Sequence, residues 1–212
     1  EAFYEVSQTP QARAMVGLFL NDQYIVKQAK NRGRALAGKL PEIKTAGVIG
    51  AGIMGGGIAQ VFAAAGLEVT LIDLHQAALE KGLQSITNSL DRLVKKEKIT
   101  PQDKFNTLAR IKQSTSYSDL KDLPLVIEAA TENKELKEKI IQLISDVVSP
   151  NTIIASNTSS LSVTELAALD QHPERVIGMH YFSPVPMMPL LEIIPHAGTA
   201  PEVQAAAMAV GS

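Results

Sequence analysis

Residues 46–73 read AGVIGAGIMGGGIAQVFAAAGLEVTLID and carry the clearest indication of the fold. The apolar run Gly47–Gly50 predicts a β-strand, and the helix that follows a short turn is predicted at Gly55–Gly66. Glu68–Asp73 mixes polar and apolar residues in the manner of a second strand. The stretch is therefore predicted to be a strand–turn–helix–strand unit of an α/β protein.

The glycine turn has the spacing of a dinucleotide-binding site. Residues 50–55, GAGIMG, form a G-x-G-x-x-G pattern between the predicted strand and helix. Gly50 permits the tight turn, Gly52 lets the backbone approach a pyrophosphate, and Gly55 lets helix and strand pack closely. The helix N-terminus offers free N–H groups and the positive end of its dipole to the phosphates.

Asp73 discriminates between the two nicotinamide dinucleotides. It lies 23 residues after Gly50, at the end of the second predicted strand, where a carboxylate accepts hydrogen bonds from the adenine ribose hydroxyls. A 2′-phosphate would meet this negative charge, and Leu74, His75 and Gln76 supply no arginine to compensate it. The predicted cofactor is NAD rather than NADP. The alternative is a structural glycine turn beside a surface aspartate.

The composition argues against several classes of function. The chain of 212 residues has a formal net charge of −2, so no strong field directs it to nucleic acid or to an anionic membrane. It contains no cysteine, which excludes disulfides, thiol catalysis and thiolate metal sites, and we identify no other metal site. The apolar run 47–66 has the length of a membrane span, but its seven glycines and Gln60 argue against one.

The rest of the chain continues the alternation of strands and helices. A long helix is predicted at Gln76–Glu97, where apolar residues recur every three or four positions. This alternation predicts a Rossmann-type, doubly wound and mostly parallel sheet. Further strands are predicted at 124–130 and 152–155, and further helices at 134–148 and 162–169, the last opened by a capping box of Ser162 and Glu165.

The N-terminal residues are predicted to form a linker. Thr9 and Pro10 have the residue types of a helix N-cap and first turn, so a linker helix is expected to begin there. Lys27–Lys39 carries five basic residues and no acid, which indicates a solvated linker or, alternatively, a segment near an anionic substrate. We expect residues 1–44 to be the linker from an upstream domain and residues 45–212 to be one domain, with both ends cut from a larger protein.

Residues 175–196 contain a histidine and a glutamate that a hairpin would bring together. His180 and Glu192 lie in two apolar segments and are symmetric about Pro186. In an antiparallel hairpin centred there, their Cβ atoms would be roughly 5 Å apart. The carboxylate would orient the imidazole for proton abstraction, and it would lose much of its own hydration among Leu-Leu-Glu-Ile-Ile. A structural ion pair and a surface-facing glutamate are the alternatives.

Two loops follow predicted strands at the carboxyl edge of the sheet, where ligands of such folds bind. Ser156–Ser160 offers hydroxyl groups to a substrate, or it forms only a turn before the Ser162 cap. Glu132 precedes a predicted helix, and the dipole of that helix is sufficient to explain a carboxylate there. The residues alone leave both alternatives open.

In combination, four motifs and Asp73 resemble the L-3-hydroxyacyl-CoA dehydrogenase family. They occur in the order and spacing of that family and together cover about residues 45–195. The residues before position 40 also resemble the connection from hydratase to dehydrogenase in the bacterial multifunctional fatty-acid oxidation α-subunit. The four motifs are GAGIMGGGIA (50–59), EAATENKELK (128–137), ASNTSSL (155–161) and GMHYFSPVPMMPLLEII (178–194).

The resemblance implies a role for each matching position. His180 would remove the hydroxyl proton while C3 of the substrate gives a hydride to NAD, Glu192 would orient His180, and Ser159 would hydrogen-bond the substrate oxygen. Ser183 stands where the family often has asparagine, which leaves an NAD contact there open. Ser89 and Lys96 match positions that touch coenzyme A. The positions that match NAD contacts are Met54, Asp73, Ala130, Thr131, Glu132, Lys137 and Ser159.

The resemblance also implies partners. The substrate would be an L-3-hydroxyacyl-CoA, and the sequence lacks the family's C-terminal helical domain, so we expect weak NAD binding and little turnover from these 212 residues alone. A hydratase domain upstream, a thiolase subunit and a location in the bacterial cytoplasm are implied too. The alternatives are an NAD-dependent dehydrogenase of a free hydroxy acid and a non-catalytic NAD-binding module, in which His180 and Glu192 are only structural.

Overall fold

The structure, a computed structural model, describes residues 9–17, 20, 23–24, 27 and 43–211. The chain divides into two compact units, one of residues 1–41 with residue 212, and one of residues 42–211. In the first unit, residues 10–17 are helical, and Thr9 Oγ1 accepts a hydrogen bond from Ala12 N at 3.1 Å. The predicted helix start at Thr9 is confirmed, whereas the basic segment after Lys27 lies outside the described residues.

The second unit contains a seven-stranded sheet, in the order β3-β2-β1-β4-β5-β6-β7. Strands β1 to β6 are parallel to one another, and β7 runs antiparallel to β6. The predicted doubly wound, mostly parallel sheet with a C-terminal antiparallel hairpin is confirmed. The strands are β1 Thr45–Ile49, β2 Glu68–Ile72, β3 Ile111–Ser114, β4 Leu125–Glu128, β5 Ile153–Ser156, β6 Val176–Tyr181 and β7 Leu191–Ile194.

Helices connect the parallel strands. The core lies between the sheet and these helices, and helix α4 alone contributes the buried residues Ile140, Ile141 and Ile144 to it. Three short 3₁₀ turns occupy Tyr117–Leu120, Pro173–Arg175 and Val185–Met187. The helices are α1 Ile53–Ala64, α2 Gln76–Lys95, α3 Pro101–Ala109, α4 Lys134–Val147, α5 Val163–Ala167 and α6 Pro201–Val210.

Helix α3 and strand β3 were not predicted. Helix α3 begins with a complete capping box, in which the Thr100 and Asp103 side chains each bind the other's backbone N–H. Strand β3 has only one buried residue, Ile111, and its sequence IKQS has no apolar pattern. Its extended state depends on pairing with β2, a contact between segments about 40 residues apart in the chain.

The apolar run 47–66 is divided between a strand and a helix. It covers most of β1 and all of α1, which has 12 residues and a length of about 18 Å. A bilayer core is about 30 Å thick. Across the described residues, we find no helix that has both the length and the apolar character to span a membrane.

The sheet order sets the position of the site. Strand β1 lies between β2 and β4, so the chain leaves β1 on one side and returns on the other. The crevice at such a reversal, beyond the carboxyl ends of the strands, is the usual ligand site of an open α/β sheet. The turns after β1, β4 and β5, together with the β6–β7 hairpin, meet at this edge.

Candidate functional site

The glycine turn after β1 has no room for side chains at two positions. Gly50 has φ +99°, and an added Cβ would lie 2.6 Å from the Ala130 Cα. A Cβ on Gly55 would lie 1.8 Å from the Gly50 carbonyl oxygen. Around Gly52, in contrast, nothing lies within 4 Å of an added Cβ. The turn is therefore packed against β4 on one side and open in front of the α1 N-terminus, as a pyrophosphate requires.

Asp73 connects the end of β2 to this turn. Its Oδ2 accepts a hydrogen bond from Ala51 N at 2.9 Å, and its Oδ1 accepts one from His75 N at 3.2 Å. The side chain is half-buried, so the carboxylate is held in a fixed orientation and still faces solvent. This is the position from which a ribose contact is predicted.

We expect Asp73→Ser to change the cofactor preference. Removing the carboxylate eliminates the ribose acceptor and the repulsion of a 2′-phosphate, so NADH should bind about tenfold more weakly and NADPH more tightly. Fluorescence titration of the chain with both cofactors measures the change. Asp122→Ser removes an exposed aspartate elsewhere and should change neither affinity. An unchanged NADH-to-NADPH ratio in Asp73→Ser would show that Asp73 does not set the preference.

A cleft of about 480 Å³ extends from the glycine turn to the β6–β7 hairpin. It brings together residues from four separate segments of the sequence. Gly50, Gly55 and Asp73 lie beside it and shape the glycine turn. The predicted site residues that line the cleft are Gly52, Met54, Ala130, Thr131, Glu132, Lys137, Ser159, His180 and Ser183.

His180 and Glu192 are paired across the hairpin, as predicted. They are register partners of β6 and β7, and His180 Nδ1 lies 2.8 Å from Glu192 Oε2. A carboxylate only accepts hydrogen bonds, so in the neutral imidazole Nδ1 donates and Nε2 carries the lone pair that a base needs. Among the described residues, Nε2 has no hydrogen-bond partner. The geometry is that of an oriented general base.

The expected burial of Glu192 was wrong. Its side chain is 51% exposed, whereas that of His180 is 17% exposed. Strand β7 is at the edge of the sheet, so its residues alternate between partly buried and exposed and the apolar neighbours do not enclose the carboxylate. The carboxylate is therefore hydrated, and it orients the imidazole without a large desolvation penalty.

Glu132 holds the turn that carries Ser159. Its Oε1 accepts hydrogen bonds from Ser159 N at 2.6 Å and from Ser159 Oγ at 2.9 Å, and its Oε2 accepts one from Thr158 Oγ1 at 2.9 Å. Partial burial acts to raise the pKa of Glu132, but the hydrogen bonds from Ser159 and Thr158 and the charge of Lys137 outweigh it, so the pKa is lowered. The helix dipole therefore does not fully explain the carboxylate at Glu132, which also binds Thr158 and Ser159.

Two residues, one beneath the cleft and one that lines it, were not identified from the sequence. Glu128 is fully buried and forms an ion pair with Lys137, whose side chain is only 1% exposed. Asn157 Oδ1 accepts a hydrogen bond from Tyr181 N at 2.8 Å and so connects the Ser159 turn to strand β6. Glu128 could have been found in the sequence as the one charged residue of the apolar run LVIE, because a buried charge needs a partner.

Ser89 and Lys96 lie outside this cleft. They are on α2 and at its C-cap, and neither lines the cleft or the separate cavity of about 570 Å³ between α1, α2 and α3. Leu93, which shares a helix face with both, does line that cavity. The structure therefore separates the predicted coenzyme A contacts from His180 and Ser159.

We expect Tyr181→Phe to stabilise the chain. The Tyr181 hydroxyl is buried and has no hydrogen-bond partner among the described residues, and burial raises its pKa strongly. Removing an unsatisfied buried hydroxyl should increase the free energy of unfolding by about 1 kcal/mol. Thermal or urea unfolding measures this, with Tyr24→Phe, at a 64% exposed position, as the neutral control. A loss of stability in Tyr181→Phe would show that the hydroxyl is satisfied in solution.

The fold and the glycine turn define a dinucleotide-binding domain, and the cleft is lined by His180 of the histidine–glutamate pair. Residues 45–212 match the family model of the 3-hydroxyacyl-CoA dehydrogenase NAD-binding domain, so the chain belongs to that family. The family uses NAD, which confirms the cofactor predicted from Asp73.

Known proteins similar to the chain include longer enzymes. The fatty acid oxidation complex subunit alpha of Acinetobacter baylyi is 44% identical over 97% of this chain, which spans 28% of its length. The crystal structure of (S)-3-hydroxybutyryl-CoA dehydrogenase from Ralstonia eutropha is 53% identical, with a TM-score of 0.79 over 80% of this chain and 60% of that protein. The 3-hydroxybutyryl-CoA dehydrogenase of Escherichia coli K12 is 37% identical, with a TM-score of 0.78 over 81% of this chain and 37% of that protein.

Proposed function

We propose that the protein containing this chain oxidises L-3-hydroxyacyl-CoA to 3-oxoacyl-CoA with NAD. The observation that carries the proposal is the His180 Nδ1–Glu192 Oε2 contact of 2.8 Å beside the dinucleotide cleft. It leaves the other ring nitrogen of His180 free to take a proton. A base in this position is what oxidation of a secondary alcohol requires.

Each proposed catalytic residue has a defined task. Bound in this cleft, NAD would supply the acceptor for the hydride that leaves C3 of the substrate. His180 Nε2 takes the hydroxyl proton, and Glu192 stabilises the imidazolium that results. Ser159 Oγ would turn its proton from Glu132 to the substrate oxygen, while the hydrogen bond from Ser159 N to Glu132 keeps the serine in place. The open space at Gly52 and the α1 N-terminus supports binding of the pyrophosphate at that end of the cleft.

The cofactor contacts proposed for the other cleft residues follow from their positions. Met54, Ala130, Thr131, Lys137 and Ser183 all line the cleft between the glycine turn and His180. Ser89 and Lys96 are proposed to contact coenzyme A on the outside of α2, where a long substrate would extend beyond the cleft. Lys96 is exposed and positively charged, as contact with a phosphate requires.

We infer that residues 45–212 act as the NAD-binding domain of a longer fatty-acid oxidation subunit, with residues 1–44 as the linker that precedes it. A relative 44% identical to the chain is the alpha subunit of such a complex and is much longer than this chain. A helical domain after residue 212, a hydratase domain before residue 1 and a thiolase subunit would complete the machinery. We place the complex in the bacterial cytoplasm.

The proposal is tested with the full-length protein, acetoacetyl-CoA and NADH, by following NADH absorbance. We expect NADH oxidation with acetoacetyl-CoA and none with free acetoacetate. Activity with free acetoacetate alone would favour a hydroxy-acid dehydrogenase. Tight NADH binding without turnover of either compound would favour a non-catalytic NAD-binding module.

A further inference from the structure

A single buried carboxylate connects three segments beneath the cleft. Glu128, at the carboxyl end of β4, has 0% exposure and does not line the cleft. Its Oε1 accepts a hydrogen bond from Ala130 N at 2.9 Å. Its Oε2 accepts one from Ser156 Oγ at 2.9 Å and one from the Lys137 ammonium. The loop after β4, the first turns of α4 and the end of β5 therefore share one anchor.

The contacts continue from this anchor to Ser159. The Lys137 ammonium also lies 4.0 Å from Glu132 Oε2. Glu132 in turn accepts hydrogen bonds from the backbone and the hydroxyl of Ser159. The charges therefore alternate along Glu128, Lys137 and Glu132, and the last of them binds the proposed substrate-contacting serine.

Stability alone does not explain a buried ion pair at this position. Replacing such a pair by apolar residues of similar size is often neutral or stabilising, because both charges lose their hydration on burial. What the pair provides is a defined geometry. An ammonium between two carboxylates, and a carboxylate with three donors, each leave few alternative arrangements for the attached segments.

We propose that Glu128 is a positioning residue of the dehydrogenase site. Through its contacts with Ala130, Lys137 and Ser156, it sets the distance between the loop after β4 and the turn that carries Ser159. This inference rests on the proposed function for its catalytic consequences. Glu128 touches neither the cleft nor Ser159, and it acts only through the residues it holds.

Two substitutions separate positioning from simple charge balance. Glu128→Gln keeps the size of the side chain but removes its charge, which leaves the Lys137 ammonium buried with Glu132 alone. Glu128→Asp keeps the charge but withdraws the carboxylate by about 1.5 Å, one carbon–carbon bond. Because Glu128→Asp still places a negative charge near the Lys137 ammonium, the chain should fold. Lys137 and Ser156 must move, however, if they are to reach the withdrawn carboxylate.

The pair of Asp170 and Arg175 supplies the matched control. It is equally buried, with a two-point contact of 2.9 and 2.8 Å, and neither residue lines the cleft. Asp170→Asn therefore disrupts a buried ion pair elsewhere in the same unit. It should lower the melting temperature about as much as Glu128→Gln and leave both NADH affinity and kcat within about twofold of the original protein.

The variants are compared in the full-length protein by melting temperature, NADH titration and the kinetics of acetoacetyl-CoA reduction. For both Glu128 variants we expect kcat to fall about 10- to 100-fold, because small misplacements of catalytic groups reduce the rate by such factors. The KM for acetoacetyl-CoA should stay within about threefold of that of the original protein. NADH affinity should fall about tenfold, because Ala130 and Lys137 line the cleft.

If Glu128→Gln does not fold, Glu128→Asp decides the question alone. A Glu128→Asp protein with kcat and NADH affinity within twofold of the original would overturn the proposal and leave Glu128 a structural residue. If the original protein does not reduce acetoacetyl-CoA, the proposed function fails separately. The positioning role is then decided by NADH titration, in which equal affinities of Glu128→Asp and Asp170→Asn would reject it.

Discussion

His180→Gln should lower kcat for acetoacetyl-CoA reduction in the full-length protein by about 10²- to 10⁴-fold, the usual contribution of a general acid or base. Glutamine is similar in length and can still hydrogen-bond to Glu192, so the hairpin should remain intact. It has no titratable nitrogen to replace Nε2, which has no partner among the described residues. NADH affinity should change by less than about threefold, since the dinucleotide is held mainly at the glycine turn.

A second histidine–glutamate pair provides the control for this experiment. His172 Nδ1 lies 3.5 Å from Glu174 Oε1, and neither residue lines the cleft. His172→Gln should leave kcat and NADH affinity unchanged. If His180→Gln retained a kcat within about threefold of the original, general-base catalysis by His180 would be rejected, since its loss alone removes at least about 10²-fold. The His180–Glu192 pair would then be structural.

Gly55→Ala should destabilise the chain by about 3 kcal/mol, at the upper end for a methyl group forced into a packed site. The new Cβ would lie 1.8 Å from the Gly50 carbonyl oxygen, which is backbone and cannot rotate away. Helix α1 must therefore move from β1, and the glycine turn must move with it. NADH affinity should fall about 100-fold, because the N–H groups at the helix N-terminus lose their alignment with the phosphates.

The neighbouring Gly56 is the matched control. An alanine Cβ at this position would meet its nearest atoms, Ala51 O and Ile86 Cγ1, at 4.0 Å, which is ordinary contact. Because alanine favours a helix over glycine by about 1 kcal/mol, Gly56→Ala should be neutral or stabilising. Thermal unfolding and NADH titration of both variants check the contrast. Equal melting temperatures for Gly55→Ala and Gly56→Ala would contradict the packing argument.

Much of the fold could be predicted because its signals are local. The glycine spacing, the strand at Glu68–Ile72 and the long helix α2 depend on residues close together in the sequence. Strand β3 could not be predicted in this way, because only Ile111 is buried and its neighbours on β2 supply the remaining hydrogen bonds. Helix α3 did carry a local signal, the Thr100–Asp103 capping box, which the apolar pattern alone does not reveal.

The candidate site was predictable only in part. The symmetry of His180 and Glu192 about Pro186 predicted their pairing, because residues equidistant from the centre of an antiparallel hairpin lie opposite each other. The exposure of Glu192 was not predictable from its apolar neighbours, since it depends on β7 being an edge strand. The hydrogen bonds from Ser159 to Glu132 join residues 27 positions apart, and no local pattern indicates them.

The strand–turn–helix–strand unit of residues 46–73 shows the division most clearly. The glycine turn and NAD as the cofactor were predictable from the sequence, because the freedom of glycine to adopt a positive φ and the charge of Asp73 are properties of single residues. What lies under and beside the turn depends on the tertiary structure: the buried Glu128, the ammonium of Lys137 and the Ser159 turn held by Glu132. These depend on which strand ends become neighbours, and that is settled when the whole sheet forms.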